Sequence, residues 1–249
     1  MIPLRLVVNV YNGERFLRET LASLAAQDYS KTIVHCFDNQ STDATQEIIA
    51  EFAAQHSNFR NYVLPEHMRL VDARNFALEE LRKESSDTFY FAFCDADDLW
   101  EPTWSAKLMK HAGDGYDLLY SNGYTLKEGR ELPVNSCLSM LRPTPYACPV
   151  FLQSCMFNSA LIPGQGTFFD PRFPIIYDTE FWLRRGQRLS YIHVGERLFR
   201  YRIHANSMAR SNYFPIFKEI RLIRRTHKLP LLRFIYGFLR HLLHILQHS

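Results

Sequence analysis

Three carboxylates fall within four positions, Asp95, Asp97 and Asp98, directly after the apolar run at 89–93 in FYFAFCDADDLW. Like charges this close repel, and something must offset them. Carboxylate oxygens suit Mg²⁺ or Mn²⁺, and a site with few protein ligands suits a metal shared with substrate phosphates. In an extended segment, residues two apart point the same way. Asp95 and Asp97 are therefore expected to face one site. Asp98 is expected on the other side, capping toward a helix that starts near Pro102. A solvated acidic turn also fits a bare DxD; the buried strand before it favours the metal.

Other residues could do chemistry. Asp38 in FDNQSTDAT precedes the cap-type residues Ser41, Thr42 and Asp43, so capping does not account for it. A carboxylate there can accept hydrogen bonds from a nucleobase or a ribose. Arg74, in DARN on an amphipathic helix, fits a phosphate partner or a surface arginine. Asp178 opens the helix YDTEFWLRR, where the helix dipole favours an acid and where a general base is the alternative. His204 in YRIHANS fits a metal or diphosphate contact, or a structural role. The sequence has no GxxxxGK[ST] loop, HExxH, GxSxG elbow or complete dinucleotide fingerprint.

The elements that must position these residues are legible as alternating periods. Buried strands are predicted at 4–10, 31–37, 59–64, 88–94 and 116–124. Between them, helical spacing marks a segment around Phe16, Leu17, Thr20, Leu21 and Leu24, then 41–55 and 70–84. Strands alternating with helices imply right-handed crossovers and a mostly parallel sheet covered on both faces. Farther on, 149–157 reads as a strand and 177–186 as a helix. LSYIHVG and RLFRYRI read as a hairpin around Gly195-Glu196. Ligands of an open α/β sheet sit at the carboxyl ends of its strands. The first strand delivers Asn9, Tyr11 and Asn12 there, the second Asp38, and the fourth the aspartates.

Bulk properties bound the rest. The 249 residues are 47% hydrophobic and 22% charged, as in an ordinary folded protein. The net charge of +3 is uneven: residues 213–249 hold seven Lys and Arg against Glu219 alone, leaving the remainder at −3. The five cysteines form no CxxC pair and read as thiols of a reducing compartment. A strand begins almost at once, no secretory leader is read, and no apolar run is long enough to span a bilayer. A cytoplasmic protein is expected. Nucleic acid is not an expected partner, because the body is acidic and the basic stretch is interleaved with leucine.

Taken together, VVNVYNGERFLRETLASLAAQDY, HCFDNQSTDATQEII, DARNFAL, FAFCDADDLWEP, YDTEFWLR and YRIHANS resemble, in order and spacing, the family-2 glycosyltransferases of bacterial surface-polysaccharide type. The resemblance covers about residues 4–208. It implies a Rossmann-like α/β fold of the GT-A class, inverting sugar transfer from a nucleotide-diphosphate donor to a glycan or lipid-linked acceptor, and Mn²⁺ or Mg²⁺. It implies that Val10, Tyr11 and Asn12 pack the base. Asp38 and Asn39 match the first two acids of a DDGSTD motif, with Asn39 in place of the second and Gln40 in place of its glycine. Arg74 would be placed toward the donor phosphates. Asp97 would hold the metal, and Asp95 the ribose or a metal-bound water. Asp178 would be the catalytic base, and His204 would lie near the diphosphate.

The expected organisation is a catalytic domain at 1–210, with a nucleotide-sugar half at about 1–125 and an acceptor half at about 126–210, followed by a basic helical tail at 211–249. In the tail, Leu231, Ile235, Phe238, Leu242 and Ile245 share one helical face opposite Arg233, Arg240 and His244. Such a helix fits the inner face of a membrane, or the surface of the domain or of another subunit. Two other functions compete with this one. A sugar-nucleotide nucleotidyltransferase would need a glycine-rich basic loop that NVYNGERF does not provide. A non-catalytic binding module would be expected to lack Asp97 or Asp178.

Overall fold

The computed structural model describes residues 1–135, 150–204 and 213–229. Its centre is a nine-stranded sheet in the order β3-β2-β1-β4-β8-β6-β9-β5, with β7 paired to β6. The strands are β1 (Leu4–Val10), β2 (Thr32–Asp38), β3 (Phe59–Val63), β4 (Tyr90–Phe93), β5 (Leu99–Trp100), β6 (Leu118–Lys127), β7 (Arg130–Val134), β8 (Cys155–Asn158) and β9 (Tyr191–Ile203). β1 pairs in parallel with β2 and β4, and β2 with β3. β8 runs against both β4 and β6, and β9 runs parallel to β6. The carboxyl ends of β1–β4, β6 and β9 therefore lie at one edge.

The strands are apolar without a break because both sheet faces are covered. All seven residues of β1 are buried. Leu6, Val8 and Val10 pack into one core with Leu17, Leu21 and Leu24 of α1 (Glu14–Ala25), Ile48 and Ile49 of α2 (Thr45–Gln55), and Trp104 of α4 (Trp104–Met109). Val7 points the other way. It joins Val71, Ala77, Leu78 and Leu81 of α3 (Leu70–Glu84) and Phe181 and Trp182 of α5 (Tyr177–Arg185). This is the two-residue alternation of a strand, with core on both sides.

One local reading is corrected. Gly195-Glu196 is not a hairpin: β9 runs unbroken from Tyr191 to Ile203. Its pairing with β6 steps from Ser121↔Val194 to Asn122↔Arg197, leaving the two residues as a bulge. Gly195 is not among the residues of positive φ, which the first position of a tight two-residue hairpin needs. The true hairpin joins β6 to β7, where Glu128 and Gly129 take φ of 50° and 77°.

The expected helical tail lies partly in view. Residues 205–212 and 230–249, with the apolar face at 231–245, lie outside the described residues. The helix α6 (Tyr213–Thr226) packs on the rest of the fold: Ile223 and, just past the helix, Leu229 are buried with Phe173, against Ile176 and Leu183. Lys218, Arg221, Arg225 and Lys228 are exposed. Among the described residues no helix is long and apolar enough to cross a membrane.

Candidate active site

The ends of β1 and β2 are joined by the Asn39 amide, which donates to the Val10 carbonyl at 2.8 Å. Beyond them two loops brace each other. The Asn12 N–H donates to Ser41 Oγ, while Asn12 Oδ1 accepts the Thr42 N–H. The Gly13 N–H donates to Thr45 Oγ1 and the Glu14 N–H to Asp43, serving the start of α1. Glu14 returns a bond to the Ala44 N–H at the start of α2. Of the three predicted cap residues, only Asp43 serves the first turn of α2, accepting the Thr45 N–H; Ser41 and Thr42 hold Asn12 instead.

Gln40 occupies a left-handed backbone position, φ 65°, where glycine is unstrained and other residues pay. Its amide donates to the Leu64 carbonyl, which helps to hold the conformation. Asn39 is also fully engaged: its side chain donates to the Met68 carbonyl and accepts the Met68 N–H, at 2.7 and 2.8 Å. It fixes the segment after β3, whose His67 ring lies 4.4 Å from that of Tyr11. Asp38 is buried, with Oδ1 accepting the Ser41 N–H at 3.2 Å.

The aspartates stand past the end of β4, in a turn closed by the Asp98 N–H on the Asp95 carbonyl at 3.1 Å. The chain is no longer extended there, so strand alternation lapses. This corrects the placement of Asp98. It is wholly buried, its Oδ1 accepts the Arg202 N–H of β9, and the first turn of α4 is served instead by Gln27 and Asp28, which accept the Ser105 and Ala106 N–H groups. One oxygen each of Asp95, Asp97 and Asp98 lie within 4.8 Å of one another. Burial, then Asp95 and Asp97, push the Asp98 carboxyl well above the ordinary range. Burial, then Asp95, raise Asp97 also, with His204 working against them. His204 Nε2 is 2.8 Å from Asp97 Oδ2.

Arg74 supplies positive charge to this cluster from below. It is buried at 2% exposure and donates to Asp95 and to the Tyr177 hydroxyl. Burial works against its charge, yet Tyr177, Asp95 and Asp178 hold its pKa above the usual value. Gln153 donates to the other oxygen of Asp95. Asp178 follows Tyr177 in the first turn of α5, half-buried, with Oδ1 accepting the Thr179 N–H at 2.6 Å.

These elements enclose a cleft of about 580 Å³. Val10, Tyr11, Asn12, Asn39, Asp95, Asp97 and His204 line it, as the strand-end argument predicts. Asp38, Arg74 and Asp178 do not. Asp38 lies behind the lining, Arg74 sits beneath Asp95, and Asp178 adjoins the Arg74–Tyr177 contact. The lining also includes Arg15, Phe16, His67, Met68, Arg69 and Tyr201. The strand-end rule, applied to β3, would have found His67–Arg69. Nothing in the sequence marks Gln153 or Tyr201.

The three carboxylates suit a hard divalent cation. Their oxygens converge, and Asp98 Oδ2 is buried with no hydrogen-bond partner among the described residues. Such a donor set fits Mg²⁺ or Mn²⁺.

Comparison with known proteins agrees with this geometry. The sequence profile of Glycosyl transferase family 2 matches residues 6–147. EpsH of Bacillus subtilis (strain 168), a glycosyltransferase by assignment, is 32% identical over 117 residues, covering 47% of this chain and 32% of EpsH. The chain thus spans about a third of that relative's length. S. aureus TarS residues 1–349, solved with UDP-GlcNAc, superposes with a TM-score of 0.71 at 20% identity, over 89% of this chain and 65% of that one. The mannosyltransferase PcManGT of Pyrobaculum calidifontis, solved with GDP-Man and Mn²⁺, gives 0.59 at 19% identity, over 84% and 59%. At these identities the two solved structures speak to the fold.

Proposed function

The chain belongs to glycosyl transferase family 2 and has the GT-A fold, and we propose that it is an inverting, metal-dependent glycosyltransferase. It would move a sugar from a nucleotide-diphosphate donor to a hydroxyl of a glycan or lipid-linked acceptor in cell-surface polysaccharide or lipopolysaccharide synthesis. The observation that carries this reading is that Asp95 and Asp97, clustered with the buried Asp98, line a cleft of about 580 Å³ together with Tyr11 and His67. A carboxylate cluster beside an aromatic wall suits a ligand with a base at one end and a metal-bound diphosphate at the other.

In this reading Val10, Tyr11, Asn12 and Asn39 form the base end, with Asp38 behind them. Asn39 acts through the Met68 segment that it fixes. Asp97, with Asp95, holds Mn²⁺ or Mg²⁺, which when bound supplies Lewis-acid charge to a departing diphosphate. Arg74 orients Asp95 through their direct contact. His204 holds Asp97 and adds a donor beside the diphosphate. Asp178 accepts the proton of the acceptor hydroxyl, which attacks the anomeric carbon from the face opposite the leaving group. Such base assistance typically contributes about 10²–10⁴-fold.

Isothermal titration of UDP- and GDP-sugars with and without Mn²⁺ tests the donor site. Binding should need the metal in the parent chain. Asp97→Asn should lose that dependence; a mutant that still binds donor in a Mn²⁺-dependent way would remove Asp97 from the metal site.

The division into a catalytic region at 1–210 and a tail at 211–249 is part of the same proposal, with the tail meeting an anionic membrane surface at the cytoplasmic face. The exposed cations Lys218, Arg221 and Arg225 of α6, with Lys228 just past its end, support it. Flotation with phosphatidylglycerol vesicles should fall when the four are changed to Gln, and unchanged flotation would exclude this surface.

A further inference from the structure

In the first turn of α5 (Tyr177–Arg185), Asp178 Oδ1 accepts the Thr179 N–H. The N–H groups of the N-cap Ile176 and of Ile175 before it need acceptors from outside the helix, and the Ile176 side chain can provide none. The acceptor comes from α6, more than forty residues farther along. Glu219 is 7% exposed, and its carboxylate accepts the Ile176 N–H at 3.0 Å and the Ile175 N–H at 3.1 Å. A carboxylate facing a helix N-terminus also meets the positive end of the dipole, and such charge-assisted bonds are stronger than neutral ones.

The next residue is fixed from the opposite direction. The Tyr177 hydroxyl meets Arg74, which meets Asp95. Asp178 follows at once. The first turn of α5 is thus held between the acidic cluster on one side and α6 on the other. Helix α6 is itself seated by Ile223 against Phe173 and Ile176, and His227 Nε2 lies 3.4 Å from Glu180 Oε1 of α5.

We propose that Glu219 is a positioning residue for Asp178: by holding the Ile175 and Ile176 amides it sets the direction in which the first turn of α5 presents the base. The inference rests on the assignment of Asp178 as base. Burial raises the Glu219 pKa while the two amides and Arg69 lower it, and Asp178 is within its electrostatic reach. The C-terminal helix is then a working part of the catalytic centre as well as a cover.

The test compares the full chain with Glu219→Ala, Glu219→Gln and Asp178→Asn. Turnover is read as Mn²⁺-dependent hydrolysis of UDP-GlcNAc or GDP-mannose, whichever the parent consumes, and donor affinity by titration with UDP or GDP. Misplacing a catalytic group by about 1 Å can cost 10²-fold. Glu219→Ala should therefore lose on the order of 10²-fold in kcat with nucleotide affinity within about twofold. Glu219→Gln keeps one acceptor oxygen and should recover part of the loss. It also serves as the reading variant if the alanine protein does not fold. Near-parent kcat in both Glu219 variants beside an inactive Asp178→Asn overturns this inference alone. A parallel loss of nucleotide affinity and kcat overturns it as well, because Glu219 would then support the fold and not the base. Near-parent turnover by Asp178→Asn removes the base assignment and this inference with it.

Discussion

The proposed donor wall and the helix of the proposed base are held by different means. At the ends of β1 and β2, site residues are fixed by neighbouring loops: Asn12 by Ser41 and Thr42, Asn39 by the backbone of Met68, Gln40 by the Leu64 carbonyl. Around α5 and β9 the ties are single side chains from distant parts of the chain: Arg74 on Tyr177, Glu219 on Ile176, His204 on Asp97. Many short bonds share a load, and the loss of one is absorbed. A single long-range tie has no substitute. Substitutions should therefore cost little at the donor wall and much at the ties.

The largest effect should come from the base. Asp178→Asn is expected to lower turnover about 10²–10⁴-fold while nucleotide affinity stays near the parent value. A joint loss of both would place Asp178 on the donor side of the comparison. Next comes Arg74→Met, which leaves the Tyr177 hydroxyl and Asp95 without their shared partner. Breaking a buried pair typically costs about 3–5 kcal/mol, and the lower end applies because the Asp95 side chain is 29% exposed. Chemical denaturation measures it, and a change under about 1 kcal/mol would show that this tie is shared after all.

The smallest effect lies at the outer edge of the donor half. Burial lowers the His35 pKa to about 4, below the usual value of about 6.5. The unfolded chain then binds the extra proton first, so stability rises with pH across that window. The contribution is complete above about pH 6.5 and fades as pH falls toward 4. His35→Phe should flatten this part of the stability profile, by about 2–3 kcal/mol at its acid end. An unchanged profile would assign the acid sensitivity elsewhere.

The same contrast decides what could be read in the sequence. The strands β1, β2 and β4 and the helix α3 announce themselves by period and composition, and their ends carry site residues by a general rule of α/β sheets. Strand alternation does not carry to Asp98, because β4 ends at Phe93 and a turn follows. Gly195-Glu196 lies between two β-rich runs, where a glycine fits a bulge as well as a hairpin. Arg74 lies on a helix whose spacing gives it no preference for the buried side, and its contact with Asp95 spans twenty-one residues. Gln153 and Glu219 reach farther still, across 58 and 43 residues, and no periodicity records a pairing of that range.

The reach of Glu219 has a consequence in time. A chain is made from its N-terminus, at about 5–20 residues per second. The strands that carry the donor wall are complete long before residue 219 exists. The Ile176 amide then waits roughly 2–9 s for its partner. During synthesis the strands of the N-terminal half can pair while the start of α5 still lacks the Glu219 contact.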